Sequence, residues 1–293
     1  MKKFILLILI TFTNLAYAEK YTIFVGFPPG GGQHTVGMIL EEGLKELGHT
    51  ATIYSKSGAG GVIAMNECLK ANERNTFCLS SQSQLVYLDT LPTEAIKYDI
   101  STINYIKLIG ESPLLLLTSN NNTKTLDQVI EDIKYNKISF GSGALGNSYV
   151  TKNLMLHLDS RQGIDVNFKG VGPAVISLIG GHISYVIAPY TAVKGQLDNG
   201  LIKIVANFSD HLPISNVPRF PNFSTPSTKF GIVASKDMPL ESIKSQEQIL
   251  VNLMENKNVQ RKLQDQGIFI ADKKLSGLDY KNMTLQEKRI LQK

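Results

Sequence analysis

The stretch Tyr21-Thr22-Ile23-Phe24-Val25-Gly26-Phe27-Pro28-Pro29-Gly30-Gly31-Gly32 runs a β-branched and aromatic segment into a turn of two prolines and three glycines. Apolar residues at helical spacing follow from Thr35 to Leu47, so the order predicted is strand, tight turn, helix. A glycine-rich turn in that place leaves backbone N–H groups exposed where the helix begins, a setting suited to an anion. Two further turns have the same make-up, Ser57-Gly58-Ala59-Gly60-Gly61 and Gly141-Ser142-Gly143-Ala144-Leu145-Gly146-Asn147-Ser148. Taken singly, each is also compatible with a plain chain reversal. Together the three predict a cleft for an anion.

Working outward, Ala51 to Tyr54 and Thr76 to Ser80 read as strands around a helix from Val62 to Lys70. A second set opens near Thr118. Thr125-Leu126-Asp127-Gln128 has capping-box spacing, strands fall near Ile138 to Phe140, Asp165 to Phe168 and Ile183 to Ile187, and helices run near Ser148 to Leu158 and Pro173 to Ile179. After Ile202 to Ala206 the chain from Asp210 to Thr228 carries four prolines and reads as an irregular crossing, before a returning strand at Phe230 to Ala234. Helices are expected near Leu240 to Glu255 and Val259 to Gln266, with the box Thr284-Leu285-Gln286-Glu287 opening a last one. Alternating strands and helices predict an α/β protein with a mixed, mostly parallel sheet in each of two lobes. The expected division is 1–18 leader, 19–117 first lobe, 118–228 second lobe, and 229–293 returning to the first lobe through a two-crossing hinge.

Lys2 and Lys3, the apolar run Phe4 to Ile10 and the small-residue pattern Ala16-Tyr17-Ala18 read as a secretory signal cleaved after Ala18. The polar Thr11, Thr13 and Asn14 interrupt that run well short of the roughly 20 apolar residues a membrane span needs, so no direct membrane insertion is expected. With 30 basic and 25 acidic residues the formal charge is +5, and loss of Lys2 and Lys3 would leave +3, too mild to point to nucleic acid. Cys68 and Cys78 fit either a disulfide in an oxidising compartment or two small buried hydrophobes. No cofactor or metal is expected, since neither cysteine has a ligand cluster at suitable spacing. Enzyme readings lack support: no Gly-Lys-Ser/Thr ends the first glycine turn, no Gly-x-Ser-x-Gly elbow occurs, and the five histidines stand singly.

Phe27-Pro28-Pro29-Gly30-Gly31, Ser57-Gly58-Ala59-Gly60-Gly61, Ser142-Gly143 with Gly146-Asn147-Ser148, Phe168-Lys169-Gly170 with Gly172-Pro173-Ala174, and Gly180-Gly181-His182-Ile183 recur in this order along nearly the whole mature chain. In that order and spacing the sequence resembles the tripartite tricarboxylate transporter substrate-binding proteins, the Bug or TctC-like periplasmic receptors. The resemblance implies a type 2-like periplasmic binding fold that captures a small organic acid anion and presents it to the membrane subunits of a tripartite tricarboxylate-type transporter, acting as a monomer in the periplasm. The family pattern commonly has an acidic residue at His34, an arginine at Met38, a histidine near Val150 and Asp-Gly at Arg74-Asn75. Those departures bear on ligand preference. Two other roles stay open: a ligand-sensing partner of a two-component kinase, and an exported enzyme acting on a carboxylate.

Candidate ligand contacts in the first lobe are the backbone N–H groups of Gly31, Gly32 and Gln33, flanked by Pro29 and His34, with Ser57, Ser81 and Gln82 at neighbouring strand ends. In the second lobe they are Ser142, Asn147, Ser148, Lys169 and the turn Pro189-Tyr190-Thr191. No catalytic residue is nominated. Each candidate has a plainer reading: a tight turn for the glycines, helix caps for Ser142 and Ser148, a solvated lysine at Lys169, a water-satisfied surface residue at His34, and packing under the hinge for Tyr190.

Overall fold

In the computed structural model, residues 18–291 are described, so the leader expected over 1–18 falls, Ala18 apart, outside the described residues. The first lobe begins with β1 (Lys20–Val25), α1 (Gly32–Glu46), β2 (Thr50–Ser55), α2 (Val62–Ala71), β3 (Thr76–Ser80), α3 (Gln82–Leu85) and β4 (Asn104–Ser112). The second comprises β5 (Leu114–Ser119), α4 (Leu126–Tyr135), β6 (Ser139–Ser142), α5 (Leu145–His157), β7 (Ile164–Asn167), α6 (Val171–Ile179), β8 (Tyr185–Pro189), α7 (Lys194–Asp198) and β9 (Ile202–Asn207). The chain then returns as β10 (Thr228–Ala234), α8 (Leu240–Glu255), α9 (Lys257–Asp265), β11 (Phe269–Ile270) and α10 (Gly277–Leu291).

Two mixed sheets result, ordered β11-β4-β10-β3-β1-β2 and β7-β6-β8-β5-β9. In the first, β1 to β4 share one direction and β10 and β11 oppose it; in the second, β5 alone opposes the rest. The reversed strands β5 and β10 are the two by which the chain enters a new sheet. A single residue, Pro113, separates β4 from β5, so the sheet changes between Ser112 and Leu114, whereas the sequence reading put the change of lobe at 118. The second crossing runs through the proline-rich chain between Asn207 and Thr228, tied back by Asn207 N–H to Pro218 O at 2.9 Å and Phe208 N–H to Leu114 O at 3.0 Å.

Burial alternates along the strands as a two-residue period requires. Leu114 and Leu116 join Val129, Ile133, Phe140 and Leu154 on one face of the second sheet, while Leu115 and Leu117 join Ala174, Val175, Leu178 and Val186 on the other. In the first lobe Ile23 and Val25 pack with α1, α8 and α9 through Leu40, Leu44, Leu253 and Leu263, and the opposite face gathers Met65, Leu69, Leu108 and Tyr280 from α2, β4 and α10. Cys68 of α2 and Cys78 of β3 form a disulfide, with Cα atoms 5.6 Å apart, which resolves the alternative left open by the sequence. No helix among the described residues is long and apolar enough to cross a membrane.

The last helix departs from the sequence expectation. It starts at Gly277, where Ser276 Oγ accepts the Asp279 N–H at 3.2 Å and Asp279 Oδ2 accepts the Ser276 N–H at 2.8 Å. Thr284 lies inside it, buried, its hydroxyl donating to Tyr280 O at 3.0 Å, and Glu287 pairs with Lys229 instead of closing a capping box.

Candidate functional site

Loops at the carboxyl ends of β1, β3, β6 and β8, joined by the Gly170–Pro173 segment, meet between the lobes, where open α/β sheets place ligands. They surround a cleft of about 720 Å³. The helices α1, α5 and α6 all start on its wall, through Gly31 to Gln33, Ala144 to Asn147, and Gly170 to Gly172 respectively. Their N-cap residues, Gly31, Ala144 and Gly170, supply no side-chain cap, and none of the three has an acidic residue in its first turn. An α-helix leaves its first N–H groups without intrahelical partners and carries about half a positive charge there. Three such ends, one from the first lobe and two from the second, therefore direct donors and positive potential into one hollow.

A side-chain donor accompanies them. Asn147 is 4% exposed, lines the cleft, and its Nδ2 is buried without a hydrogen-bond partner. An unsatisfied buried donor costs about 1–3 kcal/mol, so an acceptor supplied from outside would bind with that penalty removed. The remaining wall is mostly apolar, with Phe27, Pro28, Tyr87, Leu114, Pro173 and Phe230. Among the described residues, no Asp, Glu, Lys, Arg or His lines it. Burial first, then the neighbouring Glu287 carboxylate and Tyr149, push the Tyr87 phenol well above its ordinary value, so it stays neutral.

The lobes are in contact around this hollow. A Cβ added at Gly32 would lie 2.5 Å from the Thr191 methyl group, and one at Gly146 would lie 2.6 Å from the Tyr87 ring. Glycine at both places lets opposite lobes approach until backbone meets side chain.

The nominated residues divide. Pro29, Gly31, Gly32, Gln33, Ser81, Gln82, Asn147 and Pro189 line the cleft. Ser57, Ser142 and Lys169 line an adjoining hollow of about 1050 Å³ that shares Phe27, Pro28, Gly143, Ala144 and Gly170 with it. His34, Ser148, Tyr190 and Thr191 are on neither wall.

Several lining side chains are already engaged. Gln33 Oε1 accepts the Gly26 N–H at 2.7 Å while its Nε2 donates to Leu79 O at 2.9 Å and to Gln84 Oε1 at 2.7 Å, so only its backbone can serve a ligand. Gln84 Oε1 also accepts from Ser81 N and Oγ, and Gln84 Nε2 donates to Gly61 O at 3.2 Å. This one amide ties together the loops that follow β1, β2 and β3. Gln82 holds the second crossing, its Nε2 donating to Ser227 O and its Oε1 accepting the Lys229 N–H at 2.5 Å.

Ser142, on the adjoining wall, and Ser148, Tyr190 and Thr191, off both walls, have structural roles. Ser148 donates to Asp165 on β7, and Ser142 Oγ lies 3.2 Å from Thr151 Oγ1. Thr191 N–H donates to Ser112 Oγ at 3.0 Å, and Tyr190 N–H to Pro113 O at 3.0 Å, so that turn seats the first crossing. The Tyr190 ring packs on Gly267 of the returning chain. His34 is half-buried, and desolvation lowers its pKa.

Tyr87, Leu114, Ser227 and Phe230 line the cleft outside the nominated set. Phe230 and Leu114 sit at the crossings, and the sequence signals for them are a proline-rich segment before Phe230 and the single Pro113 before Leu114. Gly141, Gly143 and Gly146 fall at Gly-x-Gly-x-x-Gly spacing with Asp165 about 20 residues on, whereas the sequence expectation is that no such run with an acidic partner opens a dinucleotide fold. A Cβ at Gly143 would sit 2.3 Å from Val171 N, so the loop is packed against the start of α6.

Charge is concentrated one layer behind the cleft. Lys229, 6% exposed, pairs with Glu287 and lies 3.6 Å from Glu111 Oε2, which also accepts from Ser227 Oγ and sits 3.2 Å from His211 Nε2. Burial acts to raise Glu111, but Lys229, Ser227 and His211 together hold its carboxyl below the ordinary value. Burial dominates at Glu287, whose pKa is raised despite Lys229.

Comparison with known proteins agrees with this architecture. The model of the tripartite tricarboxylate transporter family receptor matches residues 37–283. Protein BugT of Bordetella pertussis is 28% identical over 234 residues, covering 75% of this chain and 71% of its own. Among solved structures, MatC from Rhodopseudomonas palustris with bound malate superposes with a TM-score of 0.81 at 20% identity, covering 93% of this chain and 97% of its own. A second R. palustris protein, with adipate, gives 0.83 at 20% identity, covering 94% and 96%. At such identities the superpositions speak to the fold.

Proposed function

The chain belongs to the tripartite tricarboxylate transporter receptor family, and from that premise we propose that it captures a small organic acid anion between its lobes and delivers it to transporter membrane subunits. The observation that carries the reading is the convergence of three uncapped helix starts and the buried Asn147 amide on one cleft. Burying a carboxylate costs several kcal/mol, and one helix end returns about 0.3 to 2. Hydrogen bonds to a charged acceptor contribute roughly 1.5 to 3 kcal/mol each, so a few convergent donors offset the desolvation without an arginine. Relatives in complex with malate and adipate support the ligand class. Two crossings, one of them a single proline, support closure by hinge motion. The leader read over residues 1–18 supports export to the periplasm.

The test is a thermal-shift series on refolded, ligand-free protein with mono-, di- and tricarboxylates. An acid at about 100 times its dissociation constant stabilises by about 2.7 kcal/mol, expected to raise the melting temperature by about 5 to 10 °C. Flat traces across the series would end the proposal.

A further inference from the structure

We infer that the cleft, taken as the carboxylate receptor proposed above, selects mono- and dicarboxylates with an unaminated, apolar skeleton over amino acids and over tricarboxylates. The inference rests on that reading and goes beyond it by naming which acids fit. Among the described residues, the wall holds no carboxylate to receive an ammonium group. Glu111 and Glu287 lie behind Gln82, each within ion-pairing distance of Lys229, and the Gln82 amide is itself occupied by backbone at Ser227 and Lys229. The potential that attracts a carboxylate also repels an ammonium, since each of the three helix starts presents about half a positive charge.

The same potential bounds the anionic charge from above. Three helix ends amount to roughly one and a half positive charges, enough for one carboxylate and most of a second. The adjoining hollow adds a single exposed cation, Lys169, as a partner for a second carboxylate. A third would be buried with neither a cation nor a helix end left to meet it. Between the donors, Phe27, Pro28, Leu114, Pro173 and Phe230 offer apolar surface that a hydrocarbon skeleton covers and an ammonium does not.

Four matched probes separate these terms by titration calorimetry on the refolded, ligand-free protein. Glutarate and glutamate differ by one ammonium, glutarate and tricarballylate by one carboxylate, and pentanoate and glutarate by the second carboxylate. Glutarate or pentanoate is expected to bind at least about tenfold more tightly than both glutamate and tricarballylate, the low end of what an unpaired charged group forfeits. A smaller gap, or the reverse order, overturns this inference and leaves the carboxylate receptor standing. Failure of all four to bind removes the receptor reading itself. Asn147→Asp supplies the missing acceptor at a lining position, so it should weaken glutarate and narrow its advantage over glutamate. An unchanged ratio would place the Asn147 amide away from the ligand and overturn the inference.

Discussion

Three helices that start at the cleft, α1, α5 and α6, and three that start on the outside, α4, α9 and α10, are finished differently. On the outside, Thr125 and Gln128 cap α4 reciprocally, Asn256 Oδ1 accepts the N–H groups of Asn258 and Val259 at 2.8 and 3.2 Å on α9, and Ser276 with Asp279 closes α10. Acidic residues sit in the first turns of α4, α8 and α10. At the cleft, α1, α5 and α6 have glycine or alanine caps and no acid. Against a Ser, Thr, Asn or Asp cap, Ala144 forgoes about 0.5–2 kcal/mol and Gly31 and Gly170 about a few tenths each, so the loss is largest at α5. What each cleft helix retains is a set of backbone donors with no side-chain cap. The ionisable groups missing from the cleft wall reappear just behind it as Glu111, Lys229 and Glu287.

The largest expected effect falls on that hidden layer. Lys229→Met would leave two buried carboxylates without their cation, and breaking a buried pair in this way costs about 3–5 kcal/mol. The loss should depend on pH. Glu287 is raised in the folded protein from its ordinary 4.5, and removing the lysine that helps hold Glu111 down should raise Glu111 too. A carboxyl raised on folding contributes stability that is complete below its unfolded value and lost as pH rises through its folded value. Denaturant titrations of the variant should therefore show its deficit shrinking as pH falls from 8 toward about 5. A deficit that grows on acidification would mean the carboxylates are better solvated than their burial implies.

Gly172→Asp makes a cleft helix resemble an outer one. A Cβ at Gly172 meets nothing within 4 Å, and the residue is the second of α6 and lines the cleft. The new carboxylate occupies the potential meant for the ligand, so affinity for glutarate, measured by calorimetry, should fall by about 100-fold or more, roughly 2.7 kcal/mol. The melting temperature of the ligand-free protein should hold or rise, because an acid in a first turn contributes about 0.3–1 kcal/mol. Equal losses of affinity and stability would dissolve the distinction between the two kinds of helix start.

That distinction also explains how much the sequence discloses. The glycine-rich loops, the two lobes and most helices are legible because proline, glycine and apolar period mark them. The sequence reading starts the cleft helices late, at Thr35, Ser148 and Pro173 against the observed Gly32, Leu145 and Val171. Start signals in a sequence are cap residues, and these helices lack them, so the feature that makes the site is the one that hides its boundaries. A strong box at Thr125 is read correctly, while the false one at Thr284 arises because its residues serve packing and the Lys229 pair. The strand β5 goes unread because Leu114 to Leu117 feed both faces of a sheet and show no alternation. Nothing local connects Glu111, Lys229 and Glu287, which only folding brings together.

The smallest effects give the sharpest contrast, because two changes at matching positions should act in opposite ways. Thr125→Ala removes an outer cap and should lower stability by about 1 kcal/mol with glutarate affinity unchanged. Ala144→Ser adds a hydroxyl at the corresponding position of α5, whose backbone there is extended at φ −157° and ψ 161°, the geometry an N-cap requires. The new oxygen can accept an N–H from Gly146 or Asn147, the groups expected to face the ligand. Stability of the ligand-free protein should rise by about 0.5–1 kcal/mol, and affinity should fall by a similar amount, a few-fold in dissociation constant. The two changes share a cause, since a donor satisfied by its own chain is no longer offered to the acid. If the serine stabilises the fold and leaves affinity untouched, the N–H groups of α5 are satisfied by something other than ligand, and only α1 and α6 remain to hold the anion.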